Sequence, residues 1–391
     1  MEKLEFVDRR GTNSAKWDGL EKMFGRTDLH SMWVADMDFR CCDAIIETLK
    51  NRVEHGIFGY SDSDEEWAES ICDWWSERHH FRAQKDWLLF SSGVIPIISS
   101  AIRKLTTSGD RILTMTPVYH IFFHSIENNG RFVVENELIY ENHRYQIDFE
   151  GLEKQLADTR TTMLILCNPH NPIGRIWKRD ELERIAALCE KHHVIVISDE
   201  IHCDLTETDC EYIPFASVSK QSADISITCV APTKSFNIAG IHSAAAIVPN
   251  PYLRNRLAQA LNDDEVAEPN VFAMPAAIAA FRHGAPWLDA VREYISQNRK
   301  EVTEALKDET DIVVVAQEAT YLLWLDCSGL CADTRELCAF LRKHTGLILS
   351  DGAQFRGNGK KFLRMNIACQ TSTLRDGIQR LQRGLQLYRN R

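Results

Sequence analysis

Two stretches decide the fold. They are Val194-Ile195-Val196-Ile197-Ser198-Asp199-Glu200 and Ile225-Ser226-Ile227-Thr228-Cys229-Val230-Ala231-Pro232-Thr233-Lys234. Each is an apolar, largely β-branched run of strand length that ends in charge, an acid pair in the first and a lysine in the second. Runs of this kind, lacking polar alternation, read as central strands of a sheet covered on both faces. A carboxylate and an ammonium just past the ends of two buried strands are costly to desolvate and call for a partner.

Outward from these runs the chain keeps alternating helix and strand. Ser92-Gly93-Val94 opens a helix over Ile95–Leu105, and strands follow over Arg111–Met115 and Phe132–Glu135. Gly151–Asp158 reads as a short helix, Thr162–Cys167 as a strand, and Lys178–His192 as a helix with Leu182, Ile185, Ala186 and Cys189 on one face. Ser243–Val248 completes the strand set. The expectation is an α/β fold with a mostly parallel sheet between helices, to which these runs contribute six strands. From about residue 270 the pattern turns helical, breaks at Gly284-Ala285-Pro286 and resumes over Trp287–Lys307. Strands over Ile312–Val315, Tyr321–Leu325 and Phe362–Ile367, with a helix over Thr334–Lys343, then suggest a smaller α+β domain. The division is an N-terminal segment (1–47) against the small domain, a large domain (48–286) and the small C-terminal domain (287–391).

Composition narrows the function. The 391 residues suffice for one large or two medium domains, and an apolar fraction of 44% is ordinary for a globular chain. A net charge of −11, with no stripe of lysine and arginine, argues against nucleic acid as partner. No apolar run of about 18 residues is present to span a membrane. The first ten residues mix charges and lack a signal-peptide core, so a cytoplasmic protein is expected. The twelve cysteines stand mostly in apolar runs and read as reduced core residues. Cys203 and Cys210, near His202, are the least certain of them, with zinc as the other reading, and the expectation is that no metal is held.

Candidate site residues cluster just past strand ends. Lys234, read alone, is an exposed loop lysine. Its alternative is an amine that forms a Schiff base with an aldehyde cofactor and then moves protons. Asp199 reads as a helix cap, a metal ligand or the partner of a protonated pyridine nitrogen. Asn168-Pro169-His170-Asn171-Pro172-Ile173-Gly174 is a tight loop where open α/β sheets bind ligands, and Asn171 could donate to a cofactor oxygen there. Ser92-Gly93-Val94 offers free backbone N–H groups at a helix start, suited to phosphate. Tyr119, in Thr116-Pro117-Val118-Tyr119-His120, is a core tyrosine or a ring that stacks on a flat ligand. Arg364, flanked by apolar residues in a strand, is either half of an internal salt bridge or a fork for a carboxylate. Pyridoxal 5'-phosphate accounts for the lysine and the acid together.

With these residues in place, the chain resembles fold-type-I pyridoxal-phosphate enzymes of the class I/II aminotransferase type over essentially its whole length, which implies a mostly parallel mixed sheet of seven strands covered by helices. Within them it looks most like the MalY/PatB branch of cystathionine β-lyases, the C–S lyases. Trp33-Val34-Ala35-Asp36-Met37-Asp38-Phe39, Ser198-Asp199-Glu200-Ile201-His202-Cys203-Asp204 and Lys234-Ser235-Phe236-Asn237-Ile238-Ala239-Gly240 carry the narrower likeness. The resemblance implies Lys234 as the Schiff-base lysine, Asp199 on the pyridine nitrogen, Asn171 and His202 near the phenolic oxygen, and Tyr119 over the ring. Tyr119 could also protonate the leaving sulfur. The phosphate is implied to rest on Gly93 and Val94, helped by Thr233, and Arg364 to clamp the substrate carboxylate. Asp36 to Phe39 would line the substrate entrance. Tyr60 would reach the neighbouring subunit's cofactor, which implies a homodimer with shared active sites. Two departures stand out: Ala231 replaces a serine that usually helps hold the phosphate, and His242 occupies a position often taken by arginine.

The activity so implied is α,β-elimination of L-cystathionine or related cysteine S-conjugates to a thiol, pyruvate and ammonia. An aminotransferase uses the same groups and is the first alternative. MalY-like proteins also regulate sugar-uptake genes, which leaves room for a regulatory protein partner.

Overall fold

The computed structural model describes residues 4–391. Its larger sheet has seven strands: β1 (Leu88–Ser91), β2 (Arg111–Thr116), β3 (Phe132–Glu137), β4 (Thr161–Cys167), β5 (Ile195–Asp199), β6 (Ser226–Val230) and β7 (Ala244–Ile247). The spatial order is β1-β7-β6-β5-β4-β2-β3. β7 runs antiparallel to both neighbours, and every other pair is parallel. The α/β fold expected from the apolar runs is therefore present, with seven strands and one reversed.

The lack of alternation in β5 and β6 has its counterpart in burial, since every residue of β6 and all but the first of β5 are buried. The helix Val94–Leu105 buries Ile97, Ile98, Ala101 and Ile102 in one apolar layer, while Arg179–Lys191 buries Leu182, Ile185, Ala186 and Cys189 in another. From β2 the chain moves outward to β3, returns on the other side of β2 as β4, and continues through β5 to β6. The direction reverses between β2 and β4, and the crevice at such a switch point is where open parallel sheets take their ligands.

A second sheet of β8 (Val313–Val314), β9 (Leu322–Asp326), β10 (Ser350–Asp351) and β11 (Phe362–Asn366) is antiparallel throughout, in the order β8-β9-β11-β10. The N-terminal segment is stitched to it. His30–Ser31 pairs in parallel with Leu347–Ile348, Asn366 N donates to Met32 O at 2.8 Å, and Asp38 N donates to Ala368 O at 3.0 Å.

The structure adds four long helices to the sequence reading, Asp43–His55, Glu65–His79, Pro251–Asp263 and Thr371–Arg389, and the short Gly19–Phe24, Ile121–Glu127, Lys220–Ile225 and Pro232–Ser235. Glu65–His79 begins where the Asp64 carboxylate accepts from Trp67 N at 2.8 Å, and it buries Trp67, Ile71, Trp74 and Trp75. The junction placed at 47/48 falls inside Asp43–His55, and that at 286/287 falls inside the helix Ala285–Leu306. Both junctions are thus helical. Cys167, Cys189, Cys203, Cys229, Cys327 and Cys369 are buried free thiols, and no helix among the described residues is long and apolar enough to cross a membrane.

Candidate active site

The C-terminal edge of the larger sheet gathers the predicted residues. Tyr119 follows β2, Asn171 follows β4, Asp199 ends β5 with His202 in the next turn, and Lys234 follows β6 on the one-turn helix Pro232–Ser235. Lys234 Nζ donates to Ala35 O at 2.6 Å. Burial lowers its pKa to about 8, with the charge of Arg364 acting the same way, while Asp36 and Asp199 oppose the shift. An amine with that pKa is partly neutral near pH 7, as a nucleophile or proton carrier needs.

Asp199 is buried, and its one protein donor is the Ile201 N–H at 3.2 Å. Burial raises its pKa to about 7, against that bond and the charge of Lys234. A carboxyl so short of partners is held ready for a cationic group. His202 is also buried, its Nδ1 has no partner, and burial together with Lys234 and Arg364 lowers its pKa to about 3, so the ring is neutral. Tyr119 is largely enclosed, and its ring meets Phe122 edge-on at 5.6 Å.

Arg364 sits in the central strand β11 at 5% exposure. Its Nη1 lies 3.4 Å from Asn171 Oδ1, Nη2 is 3.2 Å from Trp33 O and 3.5 Å from Ser350 Oγ, and Nε has no partner. No carboxylate of the described residues pairs with it, and burial lowers its pKa to about 10. The internal salt bridge is thereby excluded as the reason for this arginine, and a ligand carboxylate fits the open fork.

Gly93 and Val94 start the helix Val94–Leu105, whose first N–H groups have no acceptor inside the helix. Ala231, where a serine is usual, is buried, as is Thr233. One hydroxyl that sequence reasoning missed lies beside this corner. The register places Ala244 opposite Ser91, so Ser243 stands beside Ser92, and Ser243 Oγ is buried without a partner. A polar residue opening an otherwise apolar strand was the available signal.

Phe39 is placed differently from expectation, and Tyr60, expected to act in a neighbouring subunit, stands outside its own chain's cleft. Phe39 does not line the entrance: its ring is 2% exposed and lies 5.3 Å from Phe6 and 5.6 Å from Tyr294. Apolar contact wins because residues 37–39 turn inward along the small domain. Tyr60 touches nothing in its own chain's cleft. It is 102% exposed, beside Phe58 and a cavity of about 500 Å³ bordered by Pro269 to Phe272. Asp36 does reach the cleft, where its Oδ2 takes Arg9 Nη2 at 2.7 Å and its Oδ1 is buried without a partner.

A buried carboxylate braces the site from behind. Asp204 accepts from Ser235 Oγ at 2.8 Å, Trp74 Nε1 at 3.0 Å and His79 Nε2 at 2.9 Å. It therefore ties the turn bearing His202 to the turn bearing Lys234. Cys203 is grouped with His79 and Asp204, their ligand atoms within 4.8 Å of one another. The carboxylate that a metal would use there is already engaged by three donors.

The residues fit the expected cofactor on the structure's own terms. A partner-poor buried acid, an orphaned imidazole nitrogen, a low-pKa lysine and unengaged helix-start amides converge on one crevice. Comparison with known proteins agrees with this geometry. The family model described as aminotransferase class I and II matches residues 31–381. The cystathionine beta-lyase PatB of Bacillus subtilis is 42% identical, over 97% of this chain and 98% of that one. Protein MalY of Escherichia coli is 34% identical, over 98% of each. The crystal structure of cystalysin from Treponema denticola, which contains a pyridoxal 5'-phosphate cofactor, superposes with a TM-score of 0.94 at 32% identity, over 98% of each chain. A strand-end lysine and acid, a carboxylate fork and a full-length match together place this chain in the aminotransferase class I and II family, in the branch that holds PatB and MalY.

Proposed function

We propose that the protein is a pyridoxal 5'-phosphate-dependent carbon–sulfur β-lyase that splits L-cystathionine or a related cysteine S-conjugate, with water, into a thiol, pyruvate and ammonia. The observation that carries the reading is the pairing, in one crevice, of Lys234, whose amine meets a backbone oxygen, with a buried guanidinium that no carboxylate of the described residues meets. The likeness to PatB directs the reading to elimination. Pyridoxal phosphate supplies the electron sink that lets the substrate's Cα–H and Cβ–S bonds break in turn.

The chain's own residues do the rest. Arg364 takes the substrate carboxylate on both Nη atoms, and Asn171 beside it fixes the approach. Lys234 removes the proton from Cα and, with Tyr119, returns a proton to the departing sulfur. When the cofactor is bound, Asp199 would favour the positive charge of its ring nitrogen, Tyr119 would stack on the ring, and the neutral His202 and Asn171 would meet its phenolic oxygen. Gly93, Val94 and Thr233 would hold its phosphate. Asp36 stands at the substrate end.

A homodimer places Tyr60 of one copy at the cleft of the other. Its complete exposure, with Ile57 at 65% and Phe58 at 57%, is what a second copy would cover. The three-part division of the chain then has a purpose, since the small domain brings Arg364 and the N-terminal segment to a site rooted in the large domain. The setting is the cytoplasm.

The test is incubation with L-cystathionine in the absence of any keto acid, measuring pyruvate and free thiol. Equal amounts of both support elimination. Turnover that requires a keto-acid acceptor sinks the lyase reading in favour of an aminotransferase.

A further inference from the structure

The segment Trp33–Phe39 presents its carbonyls to the site as a nearly unbroken row. Trp33 O accepts from Arg364 Nη2 at 3.2 Å, and Val34 O and Asp36 O accept from Asn366 Nδ2 at 2.5 and 2.7 Å. Ala35 O accepts from Lys234 Nζ at 2.6 Å and from Tyr321 Oη at 3.0 Å. Met37 O and Phe39 O accept from Asn237 Nδ2 at 3.0 and 2.8 Å. Both charged groups of the crevice thus lean on one strip of backbone, and two carboxamides fasten it.

The two fasteners stand close to the groups they serve. Asn366 lies two residues past Arg364, and its Oδ1 takes Ala368 N at 2.8 Å. Asn237 lies three residues past Lys234, and its Oδ1 takes Met37 N at 2.9 Å, so one side chain grips the strip as a neighbouring strand would. Asn237 has a φ of 57°, a left-handed conformation that asparagine tolerates better than most residues. It is half-buried.

We infer that Asn237 is a positioning residue for the reaction, clamping Met37 and Phe39 so that the Trp33–Phe39 strip stays in register with the lysine turn and the Ala35 carbonyl orients the free amine of Lys234. The inference rests on the reading of Lys234 as the group that takes the substrate's Cα proton. It acts through geometry: a strip released from Asn237 remains tied to the small domain by Asn366 but loses its registration on the lysine.

The test uses Asn237→Gly, which keeps the left-handed backbone, and Asn237→Asp, which keeps the acceptor for Met37 N and loses both donated bonds. In the cofactor-free protein, amide hydrogen exchange of Met37 to Phe39 accelerates about tenfold or more in Asn237→Gly, while helix Val94–Leu105 exchanges as before. In the loaded enzyme kcat falls roughly tenfold and KM stays within about twofold. The deuterium isotope effect for Cα-deuterated L-cystathionine rises, because proton removal becomes harder while the later steps do not. A mere loss of folded enzyme lowers kcat but leaves the isotope effect unchanged. Unchanged exchange at Met37 in Asn237→Gly, or an unchanged isotope effect in both variants, overturns the inference. A wild-type enzyme that releases no pyruvate overturns the lyase reading instead, and the exchange experiment then decides on the clamp alone.

Discussion

Replacing Arg364 by methionine should separate activity from stability, with opposite signs. The guanidinium is buried, meets no carboxylate of the described residues, and has its pKa lowered from 12.5 to about 10. At about 1.4 kcal/mol per unit, that shift corresponds to roughly 3 kcal/mol by which burial disfavours the charge in the free protein. Against it stand two long contacts, to Asn171 at 3.4 Å and Ser350 at 3.5 Å, and one ordinary bond to Trp33 O at 3.2 Å. The bond to Trp33 is worth ~1 kcal/mol. Methionine keeps most of the stem and the contact with Phe355, over whose ring the guanidinium lies at 4.8 Å. The cofactor-free Arg364→Met protein should therefore unfold at the wild-type temperature or a few degrees above it. Activity goes the other way. A bidentate, charge-assisted grip on a carboxylate contributes about 3–5 kcal/mol, so kcat/KM for L-cystathionine should fall ~10²–10⁴-fold, mainly through KM. Scanning calorimetry and pyruvate release against substrate concentration measure the two halves. A variant that keeps kcat/KM within about threefold refutes the assignment of Arg364 to the carboxylate, and one that loses several kcal/mol of stability refutes the account of an uncompensated charge.

Other perturbations test the rest of the crevice. Asp199 has a folded pKa raised from 3.8 to about 7, so the cofactor-free protein loses stability as pH rises through that window. Asp199→Asn should then melt above wild type at pH 8 and level with it near pH 4, while losing most activity once loaded. Ser235→Ala, which removes one of three donors from Asp204, should cost about 1 kcal/mol in urea unfolding. Asp204→Asn should cost about 3 kcal/mol or more, since buried donors lose a charged acceptor. The pKa of Asp204 is lowered, with His79 among the causes, so its contribution is present above pH 4 and fades as pH falls through the folded value. Tyr60→Ala should leave the melting of a single subunit unchanged and cut activity tenfold or more. Mixed dimers with Lys234→Ala should regain activity through the one cleft that keeps both residues, a gain that does not occur if each site is complete in one chain.

What could be read in the sequence follows from how local each signal is. The strands around Asp199 and Lys234 were legible because burial on both faces demands unbroken apolar runs, and a charge closing such a run must meet a partner or a ligand to repay its desolvation. The helix Glu65–His79 carries Trp67, Ile71, Trp74 and Trp75 at helical spacing, but bulky aromatics have only middling helix propensity, so the local signal is weak until tertiary packing supports it. Phe39 was misplaced because its neighbour Asp36 does face the cleft. In a segment without regular structure, adjacent side chains diverge according to tertiary contacts, here Phe6 and Tyr294, that no local pattern encodes. Arg364 was half legible: its strand was plain, but that it lacks a counter-ion is a property of everything around it. Ser243 and Asn237 lay further still from view, since the first matters through its register opposite Ser92 and the second through backbone atoms some 200 residues away. Bonds from side chain to distant backbone leave no residue-type signature on the accepting side. This is why the strip Trp33–Phe39 could be recognised by resemblance while its work, holding a lysine and an arginine by their carbonyl partners, emerges only in the fold.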